Sequence, residues 1–321
     1  MNFRDSLNLK TVQNPSLMLS ITIVTYNPGA ILLDCLRSLT GGAAGLRYDV
    51  ILVDNNSQDG MVDAAIQQYP DIEIILNKDN RGFAAANNQG LARARGGYLL
   101  LLNPDVIVGR AALAQMVTYL EQHTEVGIVG ARTFDAAGDV ALSAYGRYTP
   151  LSILWQYWGG DRLFPHQVFG VYRRACREAT EPFAVNWVQG HCLMMRRTVY
   201  EKIGGLDEGL FLFAEEPDFC ERAAKAGWKT VYLPEATVTH QESSAVARYP
   251  LVKMRHYHIS PLHYFRKRGQ RAAVWALKLG FALELGFKWL LRAAQNRIRP
   301  SETTRARLVA YPVVIREMWR Y

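Results

Sequence analysis

Four short clusters concentrate the residue types that bind ligands and move protons. Thr25-Tyr26-Asn27, Asp54-Asn55-Asn56-Ser57 and Asn103-Pro104-Asp105 each follow an apolar run, and Glu215-Glu216-Pro217-Asp218 places three carboxylates within four residues. Carboxylates, amides and hydroxyls grouped in this way can hold a polar ligand or act as general bases. Each cluster also has a purely structural use. Asx and Ser side chains close turns, and acids at a helix start offset its dipole and cap free N–H groups, with Pro217 suited to the first turn. Turn chemistry accounts for any one of the three strand-end clusters more easily than for all of them.

The elements around these clusters follow from apolar spacing. Residues 19–25, rich in Ile, Val and Thr, read as a buried strand. Pro28 precedes Ile31, Leu32, Cys35, Leu36 and Leu39 at helical spacing, and Gly41, Gly42 and Gly45 read as the turn that ends that helix. Strands are expected at 50–53, 72–76 and 98–102, with helices around 63–69 and within 82–95. This alternation predicts a parallel sheet with right-handed crossovers. In such a sheet ligands bind beyond the carboxyl ends of the strands, where three of the four clusters lie. After about residue 130 the rhythm breaks, and residues 131–185 carry many aromatics without clear period. Residues 192–196 and 230–233 read as strands, 198–203 and 215–226 as helices, and the chain from His256 onward as helical and basic.

The chain has 321 residues, 49% hydrophobic and 21% charged, enough apolar content for a sizeable core and far from the composition of disorder. Its net charge of +8 is uneven: residues 248–321 hold 16 Lys/Arg against 3 Asp/Glu, whereas residues 1–247 hold 21 against 26. A basic tail on a mildly acidic body suggests an anionic partner for the tail. Cys35, Cys176, Cys192 and Cys220 form no C-x-x-C pair, which fits reduced thiols better than a disulfide framework. Residues 1–18 lack an apolar stretch of the secretory type and read as a short arm. No G-x-G-x-x-G follows the first strand, and no G-x-x-x-x-G-K-[ST] is present. Thr25-Tyr26-Asn27-Pro28-Gly29 is also not the Gly-rich loop of a sugar-nucleotide pyrophosphorylase.

Six motifs in order resemble family 2 glycosyltransferases of the rhamnosyltransferase-like branch. They are Val24-Thr25-Tyr26-Asn27, Val53-Asp54-Asn55-Asn56-Ser57-x-Asp59-Gly60, the run Asn80-Arg81-Gly82-Phe83-Ala84 through Asn87-Asn88-x-Gly90, and Leu102-Asn103-Pro104-Asp105. In the second half, Gly204-Gly205-Leu206-Asp207-Glu208 leads into Phe211-x-Phe213-x-Glu215-Glu216-x-Asp218-x-Cys220-x-Arg222, followed by Gly227-Trp228 and His240. The resemblance covers roughly residues 19–270 and implies an α/β GT-A fold, a Rossmann-like nucleotide-binding sheet fused to an acceptor-binding half. The expected division is an arm at 1–18, a catalytic domain at 19–265 and a basic helical region at 266–321.

The resemblance also implies roles. Asp54 would hold the base or ribose of a nucleotide-sugar donor, with Thr25, Tyr26, Asn27, Asn56 and Asn103 around the nucleotide. Arg81, Gly82 and Asn87 belong to the stretch lying over the donor. Asp105 and His240 would ligate Mg²⁺ or Mn²⁺, whose charge eases departure of the diphosphate; Asn103 stands where relatives often carry the first Asp of a D-x-D. Glu216 corresponds to the catalytic base, Glu215 and Asp218 to supporting groups, and Trp187 and Gly190 to the sugar and acceptor cleft. The implied activity is inverting transfer of a sugar, best matched to dTDP-L-rhamnose, onto a surface-glycan or lipid-linked acceptor. A UDP-hexose or UDP-N-acetylhexosamine donor is the alternative, and a non-catalytic scaffold of the same fold is a third reading. No nucleic-acid partner is expected, and the expected location is cytoplasmic, at the inner face of the membrane.

The basic tail contains a 20-residue, largely apolar run at 272–291 interrupted by Lys278, Glu284 and Lys288. Each charge costs about 2.5–3.5 kcal/mol near a bilayer centre, more than the neighbouring apolar residues return, so spanning is disfavoured. At helical spacing Arg271, Lys278, Glu284, Lys288 and Arg292 share one arc of about 140°. Leu277, Phe281 and Leu285 intrude on it. The flanking clusters, Arg266-Lys267-Arg268 before the run and Arg297 with Arg299 after it, suit anionic headgroups, and peripheral attachment is expected. A helix packed on the catalytic domain or on a second subunit is the alternative.

Overall fold

The computed structural model describes residues 18–160, 172–241 and 250–321. The expected arm lies almost wholly outside these residues. A mixed sheet organises the molecule. Its parallel part is β1 (Met18–Thr25), β2 (Arg47–Asp54), β3 (Glu73–Leu76) and β4 (Tyr98–Leu102), in the order β3-β2-β1-β4. Helices α1 (Ile31–Ala43), α2 (Met61–Gln68) and α3 (Gly82–Arg93) make the crossovers. The central strands are buried on both faces, which is why they read as continuous apolar runs rather than alternating ones. One boundary differs from expectation. Gly41 and Gly42 lie inside α1, and the helix ends at Ala43, with Ala44 in the left-handed region at φ 46° and Gly45 following at φ 89°. Gly42 is where α1 meets the sheet edge, since a Cβ there would collide with Val108.

Beyond β4 the sheet continues through strands distant in sequence. After β5 (Val106–Val108), α4 (Ala112–Gln122), β6 (Val126–Phe134), β7 (Ala144–Tyr145) and α5 (Pro150–Tyr157) come α6 (Arg173–Glu178), β8 (Phe183–Val185), β9 (Trp187–Val188) and β10 (Cys192–Arg196). Then α7 (Arg197–Ile203) and α8 (Glu215–Lys225) lead to β11 (Lys229–His240). β10 runs antiparallel between β4 and β6, β11 is parallel to β6, and β5 and β8 pair antiparallel with β11. β11 is three times the length expected for it, because it passes Pro234 with a register shift between Leu233 and Thr237. Two apolar cores fill the two faces of the sheet. A third joins α5 and residues Leu210 and Ala214 to three C-terminal helices, α9 (Pro250–Lys267), α10 (Arg271–Ile298) and α11 (Glu302–Arg320). That third core braces the segment entering α8. All four cysteines are free and buried, and burial pushes the Cys192 and Cys220 thiols up to about 12.

Candidate active site

A cavity of about 260 Å³ opens beyond the carboxyl ends of β1 and β4. Thr25, Tyr26, Asn103 and Asp105 line it, as do Gly82 and Phe83 at the start of α3. The loop after β2 shapes its rim. Asp54, 5% exposed, does not line the cavity; its carboxylate accepts from Ser57 Oγ at 2.5 Å and from Ser57 N at 3.0 Å. Asn27 is tied to the same loop, since its N–H donates to Ser57 Oγ (2.8 Å) and its Oδ1 accepts from Gln58 N (2.7 Å). Asn56 is exposed at φ 68°, with its side-chain oxygen accepting from Gln58 Nε2. Arg81 is exposed beside the cavity, whereas Asn87 is buried and donates to the Phe83 carbonyl within α3.

Three cavity residues lie in the quoted motifs but carry no assigned role there. Asn55, 2% exposed, accepts from Asn77 Nδ2 and Arg81 N and donates to the Gly82 carbonyl, fastening the end of β2 to the start of α3. Phe83 and Phe211 supply aromatic walls, and Phe83 N donates to the Phe211 carbonyl at 2.8 Å. Gly82 makes that approach feasible. It sits at φ 79°, and a Cβ there would lie 2.5 Å from the Phe211 carbonyl oxygen. Its place in the Asn80-Arg81-Gly82-Phe83 run was the available signal.

Asp105 and His240, 135 positions apart, meet at the cavity floor. His240 Nε2 lies 3.1 Å from Asp105 Oδ1. Asp105 is 2% exposed, and its Oδ2 is buried without a hydrogen-bond partner among the described residues. A buried carboxylate oxygen left unpaired is costly, and a hard cation would satisfy it, so this pair fits Mg²⁺ or Mn²⁺ as two ligands. Among the described residues no three His, Cys, Asp or Glu side chains form a complete cage. The remaining ligands would have to come from a bound anion or water, as is usual for Mg²⁺ at phosphate sites. His191 stacks on His240 at 4.8 Å and bonds Thr133 Oγ1 at 2.7 Å. Burial, reinforced by the His240 ring, holds His191 well below the ordinary imidazole range. It is a neutral support that orients His240.

The acidic cluster opens α8 and divides its labour. Glu215 is 2% exposed, with Oε2 unpartnered among the described residues, and burial followed by the neighbouring Glu216 charge holds its carboxyl well above the ordinary range. Glu216 is partly exposed. Its Oε1 accepts from Gly190 N at 2.9 Å, and burial raises its pKa against that opposing hydrogen bond. Asp218 is fully committed: one oxygen accepts from Arg222 Nε and the other from Arg268, in the turn just after α9, both at 2.8 Å. Ala214, the N-cap, stands at φ 71°, so the helix begins abruptly and points its first turn inward. A Cβ on Gly190 would lie 3.0 Å from Phe83 and 3.1 Å from Glu216. Gly190 therefore joins the cavity wall to the raised carboxylate.

On the other side of the α8 start lies a second cavity of about 340 Å³, lined by Trp187, Arg147, Tyr148, Pro217, Arg268 and Gln270 among others. Trp187 stacks flat on Tyr145, with centroids 3.9 Å apart, and meets Tyr148 edge-on. A partly exposed indole edge held this way can contact a sugar ring. Of the expected site residues, Thr25, Tyr26, Gly82, Asn103 and Asp105 line the first cavity and Trp187 lines the second. Asp54, Asn27, Asn56, Arg81, Asn87, His240, Gly190, Glu215, Glu216 and Asp218 line neither.

Comparison with known proteins follows this geometry. The family described as Glycosyl transferase family 2 matches residues 20–204. A relative from Mycobacterium tuberculosis (strain ATCC 25618 / H37Rv), N-acetylglucosaminyl-diphospho-decaprenol L-rhamnosyltransferase, is 30% identical over 83% of this chain and 91% of its own length. The Haloferax volcanii low-salt glycan biosynthesis hexosyltransferase Agl10 is 26% identical over 64% of this chain and 62% of its own. Among solved structures, a mannosyltransferase from Pyrobaculum calidifontis in complex with GDP-Man and Mn²⁺ superposes with a TM-score of 0.50 at 16% identity, covering 92% of this chain and 86% of that one.

Proposed function

We propose, because the chain belongs to glycosyl transferase family 2, that it transfers a sugar with inversion from a nucleotide diphosphate to a glycan or lipid-linked acceptor. The GT-A fold and the kinship to a rhamnosyltransferase are the frame; the donor best matched is dTDP-L-rhamnose, and the acceptor a lipid-linked saccharide. The observation that carries the reading is Glu216, held by the Gly190 N–H beside Phe83, a wall of the cavity that contains the unsatisfied Asp105 oxygen, while the next residue, Pro217, lines the cavity of Trp187. The first cavity receives the donor, and its Asn55–Gly82 and Phe83–Phe211 ties keep the nucleotide walls rigid. The second receives the acceptor.

In the reaction an acceptor hydroxyl attacks the anomeric carbon while Glu216 takes its proton. The bond from that carbon to the diphosphate oxygen breaks, and the nucleoside diphosphate departs with the electron pair. Glu216 must be ionised to act, so its raised pKa gives activity that climbs with pH, and a stronger base once ionised. Glu215, held protonated, keeps a second negative charge away from the departing diphosphate. Asp105 and His240 would hold Mg²⁺ or Mn²⁺, which when bound offsets the negative charge gathering on the diphosphate.

The test is a panel of sugar nucleotides, dTDP-L-rhamnose, UDP-glucose, UDP-N-acetylglucosamine and GDP-mannose, offered with a diphospho-polyprenyl saccharide. Transfer from dTDP-L-rhamnose with inverted anomeric configuration by NMR is expected. A retained configuration, or a trapped covalent glycosyl-enzyme, refutes direct displacement, and preference for a UDP sugar refutes the donor.

A further inference from the structure

The outward face of α10 is apolar where a surface helix is ordinarily polar. Trp275, Leu279, Leu283, Phe287 and Leu290 recur every three or four residues and fall within one arc of about 120°. Each is more than half exposed, Leu283 at 67%. Trp319 of α11, 43% exposed, stands beside Trp275 with ring centroids 5.8 Å apart and extends the stripe. The inward face is the one that holds the charges. Leu277, Phe281 and Leu285 enter the third core together with buried Lys278 and Glu284. Glu284 is bonded to His258 Nε2 at 3.2 Å and to Lys288 Nζ, and Lys278 Nζ sits 5.4 Å from the Trp275 ring. Although burial pushes Glu284 up, His258 and Lys288 hold its carboxyl below the ordinary range. Of the charged arc, Lys278 and Glu284 are thus consumed by packing, while Arg271 and Lys288 stay exposed.

We propose that this outward stripe docks on an anionic lipid bilayer, with α10 lying in the plane of the interface. A contiguous apolar surface of this kind calls for cover. Charge selects the occupant. Residues 248–321 carry 16 Lys/Arg against 3 Asp/Glu, and Arg271 at one end of the stripe and Arg297 and Arg299 at the other are exposed. A second copy would bring two such basic surfaces together, which repels, whereas anionic headgroups neutralise them. Among the described residues no helix is long and apolar enough to cross a membrane, so contact is lateral. Gln270, the N-cap of α10, and Arg268 also line the second cavity. Docking would therefore bring that cavity to the bilayer surface, within reach of a lipid-linked acceptor; this last point alone rests on the proposed function.

The experiment is co-sedimentation of the full chain with vesicles of phosphatidylglycerol and phosphatidylethanolamine, against vesicles of phosphatidylcholine alone. Binding to the anionic vesicles is expected. The triple variant Leu279→Ser, Leu283→Ser, Leu290→Ser should lower partitioning by about 10-fold or more, with a cooperative unfolding transition retained because each of the three is more than half exposed. Leu283→Ser alone should lower it several-fold. Transfer to a short, water-soluble acceptor should be the same in wild type and variants, and its absence in all of them would sink the proposed function without touching the vesicle result. Vesicle binding by neither protein, or equal binding by both, overturns the docking proposal. So does a wild-type dimer, seen by light scattering, that the triple variant disperses without any vesicle binding; the face then belongs to a second copy.

Discussion

Replacing Glu216 by Gln separates the base from the scaffold that holds it. The Gly190 N–H bond to Oε1, 2.9 Å long, survives, because a Gln side chain offers an oxygen at the same place. What disappears is the group that accepts the hydroxyl proton. A positioned base contributes about 10²–10⁴ in rate, equal to about 2.7–5.4 kcal/mol of barrier. Stability should move the other way. The folded-state pKa of Glu216 is raised above its ordinary value of 4.5, first by burial. Between the two values the folded protein binds more protons than the unfolded chain, so this group's contribution to stability falls as pH rises through the folded value. Gln removes that penalty. Turnover of the variant with saturating donor and acceptor should fall by about 10²–10⁴. Its Tm near pH 8 should equal or exceed that of wild type, with the difference vanishing by about pH 4. Wild-type kcat/KM should show an acid limb whose apparent pKa lies above 4.5 and belongs to the Glu215–Glu216 pair jointly. A variant within about 10-fold of wild type, or one whose lost activity tracks a lost Tm, refutes the assignment.

Glu215→Gln should stabilise the fold near pH 8, read by denaturant titration, because burial and the Glu216 charge hold the Glu215 carboxyl well above its ordinary range and Gln removes that penalty; the gain should fade as pH falls to the unfolded carboxylate value. Gly82→Ala should cost at least about 1–2 kcal/mol for the left-handed backbone alone, and more where its Cβ meets the Phe211 carbonyl. Nucleotide affinity by calorimetry should weaken with it. Asp105→Ala should abolish Mn²⁺ binding seen by electron paramagnetic resonance and the cation dependence of transfer. Full wild-type turnover in EDTA contradicts the metal assignment.

The parallel half of the sheet was legible because its strands are buried on both faces. Residues 98–102 are an unbroken apolar run, buried throughout, and β4 begins and ends there. β11 was read short because Pro234 interrupts a local pattern that only pairing with β6 and β5 sustains. The region from 131 to 185 gave no period since its later strands, β7 and β8, are two or three residues long and set by their partners. Motif order named the residues of the site, but not their division of labour. Asp54 and Asp218 look equivalent to Asp105 and Glu216 in sequence. Ser57 occupies the first, and Arg222 and Arg268 occupy the second, while Asp105 keeps an unsatisfied oxygen.

Composition and spacing settled that the chain has an α/β core with polar strand ends, acids at one helix start and a basic helical tail. Those are local properties, fixed by which residues follow which. Which face of the tail helix turns inward was decided by the tertiary structure, since both of its faces are apolar and periodicity alone cannot choose between them. The choice fell to His258 on α9, which meets Glu284, and to the Tyr157 carbonyl of α5, which receives Lys288. Buried charges need partners; once these were supplied from distant segments, the charged face went in and the apolar stripe was left outside.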